Sequence, residues 1–247
     1  MAEQAPWVTF RTTEGRAVPA VTAEQMREID RIAVEDFGLG ILQMMENAGR
    51  SLALNAIEML EGERGEVVVL AGSGGNGGGG LCCARHLCNH GLPVRLLLSK
   101  APGELTGAAG SQLRILRAAG VAPEDPKRSR QVLRRARLVV DALVGYSLRG
   151  APRGRVAELI EQCNEEASRV LSLDIPSGRD ATTGERPGAV VRSDRTLTLA
   201  LPKTGLEGVP GTLALADIGI PPGVFEALGL AFRWPTRDRY WVILEPD

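Results

Sequence analysis

Residues 66–80 read EVVVLAGSGGNGGGG, and the fold turns on how this stretch is read. Val67–Leu70 are apolar without alternation, as in a strand covered on both faces. Seven of the ten positions 71–80 are glycine. Glycine loses more backbone freedom on folding than any other residue, so such a concentration needs a reason. Two stand open. One is a flexible loop. The other is a strand-to-helix turn whose backbone amides approach an anionic ligand with no side chains in the way.

Working outward, similar short runs recur: PVRLLLS (93–99), ARLVVDAL (136–143), RVLSLD (169–174), RTLTLAL (195–201) and TLALAD (212–217). Helical candidates lie near 78–90, 106–119 and 153–167. Strands alternating with helices in this way predict an α/β fold with a mostly parallel sheet. Upstream, VTAEQMREIDRIAVEDFGLG predicts a helix capped by Thr22 and Gln25, with Met26, Ile29, Ile32, Ala33 and Phe37 as its apolar stripe. A second helix is expected over 41–60. Residues 1–20 lack periodicity and read as an arm, 21–230 as one domain. Residues 231–247, with two of the three tryptophans, read as a tail that serves packing or a subunit contact. The basic run KRSRQVLRRAR reads as a solvated helix face.

Composition narrows the class. The chain has 247 residues, 44% hydrophobic and 24% charged, with a net charge of −1, so no global field favours nucleic acid or membrane. The N-terminus lacks the order of a secretion signal, and a cytoplasmic location is expected. Cys82, His86 and His90 share one helical face, but without a fourth ligand the simpler reading is small cysteines inward and histidines at the edge.

In open α/β sheets ligands bind at the carboxyl ends of the strands. Polar residues gather at those ends: Asn76 after the first run, Asp141 in the third, Asp174 and Ser177 after the fourth, and Lys203 after the fifth. Each could be a local cap. Together they predict one shared site. Gly72, Gly74 and Gly77 satisfy GxGxxG, but the acidic companion that reads a ribose hydroxyl is missing, because the second run ends LLLSK. An NAD-dependent dehydrogenase is therefore disfavoured; Lys100 would tolerate a 2′-phosphate, but a surface lysine is the simpler reading. No GxxxxGK[ST] occurs, and GYSLRG (145–150) is not a nucleophile elbow. Asn76, Asp141 and Ser177 offer hard oxygens with one carboxylate among them, which suits a weakly charged cation. Asp174 ends an apolar strand, where partial burial favours acid–base work, while Lys203 opposes that effect.

Read together, VTAEQMREIDRIAVEDFGLGILQMMENAGRSLA, GSGGNGGGGLCCARHL, VVDALVGYSLRG, LSLDIPSGRDATTG, TLTLALPKTGL and ADIGIP resemble, in order, the blocks of the NAD(P)H-hydrate epimerase family, the YjeF N-terminal domain. The resemblance implies a three-layer αβα, Rossmann-like sandwich with an N-terminal helix pair. It implies interconversion of the R and S forms of hydrated NADH or NADPH (NADHX, NADPHX), a damaged cofactor with a hydroxyl at C6 of its nicotinamide ring. It also implies a potassium ion (K+) on Asn76, Asp141 and Ser177, and Asp174, with Lys203, in proton transfer. Substrate would be held by Gly75, Asn76, Gly77, Gly78 and Gly79, by Gly145, Tyr146, Ser147, Leu148, Arg149 and Gly150, and by Asp174. A homodimer and a separate dehydratase acting on the same metabolite complete the implied setting. The family's loop usually reads GxGNNGGDG; here Gly75 and Gly79 replace an asparagine and the aspartate. An epimerase with an altered loop and a catalytically impaired module that binds a nucleotide derivative or a protein partner both fit that change.

Overall fold

The computed structural model describes residues 9–246. From the N-terminus come β1 (Thr9–Thr12), β2 (Ala17–Pro19), α1 (Ala23–Arg31) and α2 (Ile41–Leu60), then β3 (Glu66–Ala71), α3 (Gly75–Asn89) and β4 (Val94–Leu98). Next are α4 (Gly107–Ala118), α5 (Ser129–Arg135), β5 (Ala136–Ala142), α6 (Gly154–Glu166) and β6 (Val170–Leu173). β7 (Arg195–Leu199), β8 (Thr212–Ala216), α7 (Pro222–Glu226) and β9 (Trp241–Pro246) complete the chain.

All nine strands join one sheet, in the order β2-β1-β9-β8-β7-β6-β5-β3-β4. The six strands from β8 to β4 are parallel, and β9, β1 and β2 extend the sheet with antiparallel pairings. Successive side chains of a strand point to opposite faces. Val67, Val69 and Ala71 therefore pack with α2, α3 and α4, whereas Val68 and Leu70 pack with α5 and α6. This double burial is why β3 reads as an unbroken apolar run over residues 67–70. Towards β8 and β9 the second face is covered by Met26 and Ile29 of α1 and Phe225 of α7. No helix among the described residues is long and apolar enough to cross a membrane.

The chain ends differ from the expected arm and tail. Residues 9–19 form a hairpin and 241–246 a strand, and β9 lies between β8 and β1. Residues 1–8 of the expected arm lie outside the described residues. The signal for these strands was weak because they are short and present one inward face each, with Phe10, Val18, Val242 and Leu244 buried.

The N-terminal helix pair is present, and the Thr22–Gln25 capping box forms with both of its hydrogen bonds. Met26, Ile29, Ile32 and Ala33 are buried as the stripe requires, but Phe37 is exposed. A π turn over Ile32–Asp36 accounts for this, since the Phe37 amide bonds the Ile32 carbonyl five residues back. One extra residue in the turn rotates the next side chain off the stripe.

Candidate functional site

β3 runs directly into α3 through the glycine turn, at the carboxyl edge of the sheet. The glycines divide into two groups by what a side chain would meet. At Gly74 and Gly75 a Cβ would point into open space. At Gly77 it would lie 1.8 Å from the Gly72 carbonyl oxygen, at Gly78 2.5 Å from Met45 Cε, and at Gly80 2.5 Å from Ala142 Cβ. Gly74 and Gly75 thus leave bare backbone facing outward, while Gly77, Gly78 and Gly80 let α3 press against the turn, α2 and β5. Gly79 borders the cavity described below, and a Cβ there would meet Leu173 Cδ2 at 2.8 Å.

Asp141 is fully buried near the end of β5. Its oxygens accept hydrogen bonds from the hydroxyls of Ser177 (2.6 Å) and Ser172 (2.8 Å) and from the amides of Ser177 (2.9 Å) and Leu143 (3.3 Å). Burial pushes its carboxyl above the usual aspartate range, against the pull of these donors. No cation pairs with it among the described ion pairs. Ser177 also receives the Val144 amide, which fixes the 144–147 segment beside it. The Asn76 side chain reaches the same segment from α3: a Cβ on Gly145 would lie 3.0 Å from both Asn76 Oδ1 and Asp174 Oδ2. Asn76 Nδ2 is buried without a hydrogen-bond partner.

Asp174 follows β6 at φ +67°, outside the strand conformation. Its Oδ1 is ion-paired with Lys203 Nζ, and its Oδ2 accepts the Tyr146 amide at 3.1 Å. Lys203 is 1% exposed and also donates to the Leu199 carbonyl at 2.9 Å. Its ammonium lies 5.8 Å from the centre of the Tyr146 ring. The Tyr146 hydroxyl donates to Asp30 of α1. Burial pushes Asp30 above the usual aspartate range, with the Tyr146 hydrogen bond and the Lys203 charge opposing and Asp174 adding to the rise. Burial and Asp30 together raise the Tyr146 phenol. Asp30, Tyr146 and Asp174 border one cavity of about 550 Å³, whose other walls include Met44, Met45, Gly75, Asn76 and Gly79.

The residues expected at successive strand ends therefore meet. Asn76, Gly145, Tyr146 and Asp174 surround one crevice, Lys203 underlies Asp174, and Asp141 holds Ser177 beside it. Gly75, Gly79 and Ser147 border the cavity as well. Gly77 and Gly78 are buried in helix packing, and Leu148, Arg149 and Gly150 line neither this cavity nor its neighbour across the glycine turn. Asp30 was not singled out from sequence. Its place four residues after Met26 puts it beside the apolar stripe, a position that does not separate a cavity-facing acid from a solvated one.

The cysteine–histidine face resolves differently. Cys82 and His86 meet Glu46 of α2, with ligand atoms within 4.8 Å of one another, while His90 is exposed at the helix end. The Arg85 guanidinium sits on Glu46 and Cys82 and fills the place of a cation. Burial pushes the Cys82 thiol up to about 12, so it stays protonated. The cluster clamps α2 to α3.

Comparison with known proteins gives the chain's family. Residues 41–205 match the family model described as YjeF-related protein N-terminus. A protein of Dehalogenimonas lykanthroporepellens named NAD(P)H-hydrate epimerase is 51% identical over 242 residues, which are 95% of this chain and 96% of that one. One of the same name from Rhodopirellula baltica is 38% identical over 83% of this chain and 86% of its own. A bifunctional NAD(P)H-hydrate repair enzyme of Salinibacter ruber is 37% identical over 91% of this chain, which spans 47% of that protein. The crystal structure of yeast ynu0, YNL200c, shares the fold with a TM-score of 0.81 at 24% identity, over 92% of this chain and 100% of that one.

Proposed function

Because the chain belongs to the YjeF-related N-terminal family, we propose that it interconverts the R and S forms of hydrated NADH and NADPH. The observation that carries this reading is the convergence of Asp174, Tyr146 and Asp30 on one cavity of about 550 Å³, beside a glycine turn that leaves open space at Gly74 and Gly75.

The chemistry fits those groups. The C6 hydroxyl shares its carbon with the ring nitrogen. The C6–O bond breaks as the nitrogen lone pair fills in, and the oxygen leaves as water with a proton from an acid. Water returning to the opposite face gives the other epimer and hands a proton back. The reaction needs a group that lends a proton, a negative charge facing the transient cation, and walls that hold the ring. Asp30, raised by burial and joined to the Tyr146 hydroxyl, is the lender. Asp174, fixed by Lys203, is the negative charge and takes the proton released by the incoming water. Both carboxyls open on the same cavity, so Asp174 then gives that proton to solvent and Asp30 regains one, which restores the pair. Met44 and Met45 supply an apolar wall.

The residues also fit a potassium ion. Asp141 is a buried carboxyl without a cationic partner among the described ion pairs, the Ser177 hydroxyl bonds it, and Asn76 Oδ1 borders Gly145, next to the Val144 amide that Ser177 holds. When bound there, potassium would supply positive charge beside the glycine turn, favouring an anionic part of the substrate there. A dehydratase acting on one epimer would consume the product.

The test is to give the purified chain one epimer of hydrated NADH and follow the other by chromatography, with potassium and with tetramethylammonium in its place. The wild type exchanges the epimers faster than buffer does, and fastest in potassium. Asp174→Asn lowers kcat about 10²-fold or more, the usual worth of a positioned acid–base group. Equal rates remove Asp174 from the chemistry. Tight binding with no exchange in the wild type overturns the epimerase reading in favour of a nucleotide-binding module.

A further inference from the structure

A second cavity, of about 470 Å³, lies across the glycine turn from the first and shares Gly75, Asn76, Gly145 and Ser147 with it. The two adjoin where β4 and β5 flank β3 on opposite sides, the point at which an open α/β sheet forms its crevice. The second cavity differs in chemistry. Its walls include Ser73, Ser99, Lys100, Arg153 and Arg155, and no acidic residue. Arg155 is anchored by Glu158 (2.8 Å) and the Pro126 carbonyl (3.2 Å), and its Nε is buried without a partner. Lys100 and Arg153 are exposed, and no hydrogen bond or ion pair engages either among the described contacts.

Their placement gives them a meaning. The Ser99 amide bonds the Ala71 carbonyl at 3.0 Å, so the end of β4 is pinned beside the start of the glycine turn. In dinucleotide sites an acidic residue at this strand end accepts the ribose 2′-hydroxyl, and a basic group there accepts a 2′-phosphate instead. This chain has Ser99 and Lys100 at that position, with Arg153 facing the same cavity. An unpaired lysine and arginine against a phosphate monoester form charge-assisted hydrogen bonds; against a 2′-hydroxyl they have no charged partner.

Resting on the function proposed above, we infer that the second cavity takes the adenosine end of the substrate. Lys100 and Arg153 bind a phosphate monoester on its ribose, and hydrated NADPH is preferred to hydrated NADH. The preference is about ten- to a hundredfold, the worth of one or two charge-assisted contacts.

Two measurements test this. Isothermal titration of the full chain compares 2′-phospho-ADP-ribose with ADP-ribose, a readout that needs no turnover. Kinetics compare kcat/KM for the two hydrated dinucleotides. The wild type favours the 2′-phosphate in both, the kinetic difference lying in KM. In the double variant Lys100→Ala, Arg153→Ala both ratios fall to about one, and Lys100→Glu brings the binding ratio to one or below. Equal binding of the two ligands by the wild type overturns the inference, as does a preference that survives in the double variant. If the 2′-phosphate preference appears in the titration while neither dinucleotide is epimerised, the subsite stands and the catalytic reading falls.

Discussion

Asp174 occupies φ +67°, a backbone region that costs a non-glycine residue about 1–3 kcal/mol and persists only where its surroundings enforce it. Here the Leu197 carbonyl holds its amide at 2.7 Å, and Lys203 and the Tyr146 amide hold its carboxylate. The bend carries the side chain off the line of β6 and over the crevice. Asp30 faces the same space from a helix, and its carboxyl lies above the ordinary value of 3.8. The sign follows. An acid must carry its proton to act, so kcat/KM falls as pH rises through the raised Asp30 value. Folding stability from that proton is likewise present at low pH and lost over the same interval. In Asp30→Asn the alkaline limb of the pH–rate profile is gone and kcat is about 10²-fold lower. A limb that persists in the variant assigns the proton elsewhere. Asp141, Asp174, Ser177 and Lys203 were legible in sequence because each stands at or just beyond the end of a strand, where the fold class alone predicts a ligand. Asp30 was not, because an acidic residue on an amphipathic helix looks the same whether it faces solvent or a cavity.

At the scale of the element, α3 shows why a glycine run resists reading. Glycine serves a left-handed turn, a close approach to a ligand or a close approach to protein, and the letter is the same for all three. The run was open to a flexible loop or a ligand-facing turn; the contacts give Gly77, Gly78 and Gly80 a packing role and leave open space at Gly74 and Gly75, which a ligand would need. The helix accordingly starts at Gly75, ahead of the expected 78. Two substitutions separate the roles. Alanine is preferred to glycine within a helix by about 1 kcal/mol, so Gly75→Ala leaves the urea midpoint unchanged or raises it. Gly77→Ala drives a methyl onto the Gly72 backbone, which cannot swing aside as a side chain can. It lowers the midpoint by the equivalent of about 2–4 kcal/mol. Equal midpoints for the two variants would refute the division. Gly79 belongs to neither group. A Cβ there would meet Leu173 Cδ2, the tip of a side chain on the facing strand, at 2.8 Å.

At the scale of the whole molecule, six strands were legible because burial on both faces leaves apolar runs, interrupted by a few polar residues such as the buried Thr196 and Thr198 of β7, and three were not. β1, β2 and β9 extend the sheet at its antiparallel end, where short strands with one buried face carry little pattern. Trp241–Glu245 alternates between half-buried, buried and exposed positions, which a single tryptophan-rich segment does not distinguish from a subunit contact. Their arrangement has a consequence for the site. β9 is the only strand joining the hairpin to the rest of the sheet among the described residues, since β1 pairs with β2 and β9 alone. The hairpin in turn leads to Val21, whose amide bonds the Pro202 carbonyl at 2.9 Å and whose carbonyl accepts the Thr204 amide at 3.0 Å. Lys203 is thus held between two backbone bonds to the hairpin's exit. A chain ending at Tyr240 loses buried Val242 and Leu244 directly and uncovers Phe10 and Val18. At about 1.5–3 kcal/mol for each such side chain, the loss is comparable with the whole stability of a domain. The truncated chain is expected to melt well below the full one. In whatever fraction folds, hydrogen exchange at residues 9–19 proceeds without protection, while β3 and β5 retain theirs. Epimer exchange falls with it, because the ammonium that fixes Asp174 is no longer anchored. Hairpin protection equal to that of the full chain would show that the terminal strand does not support the site.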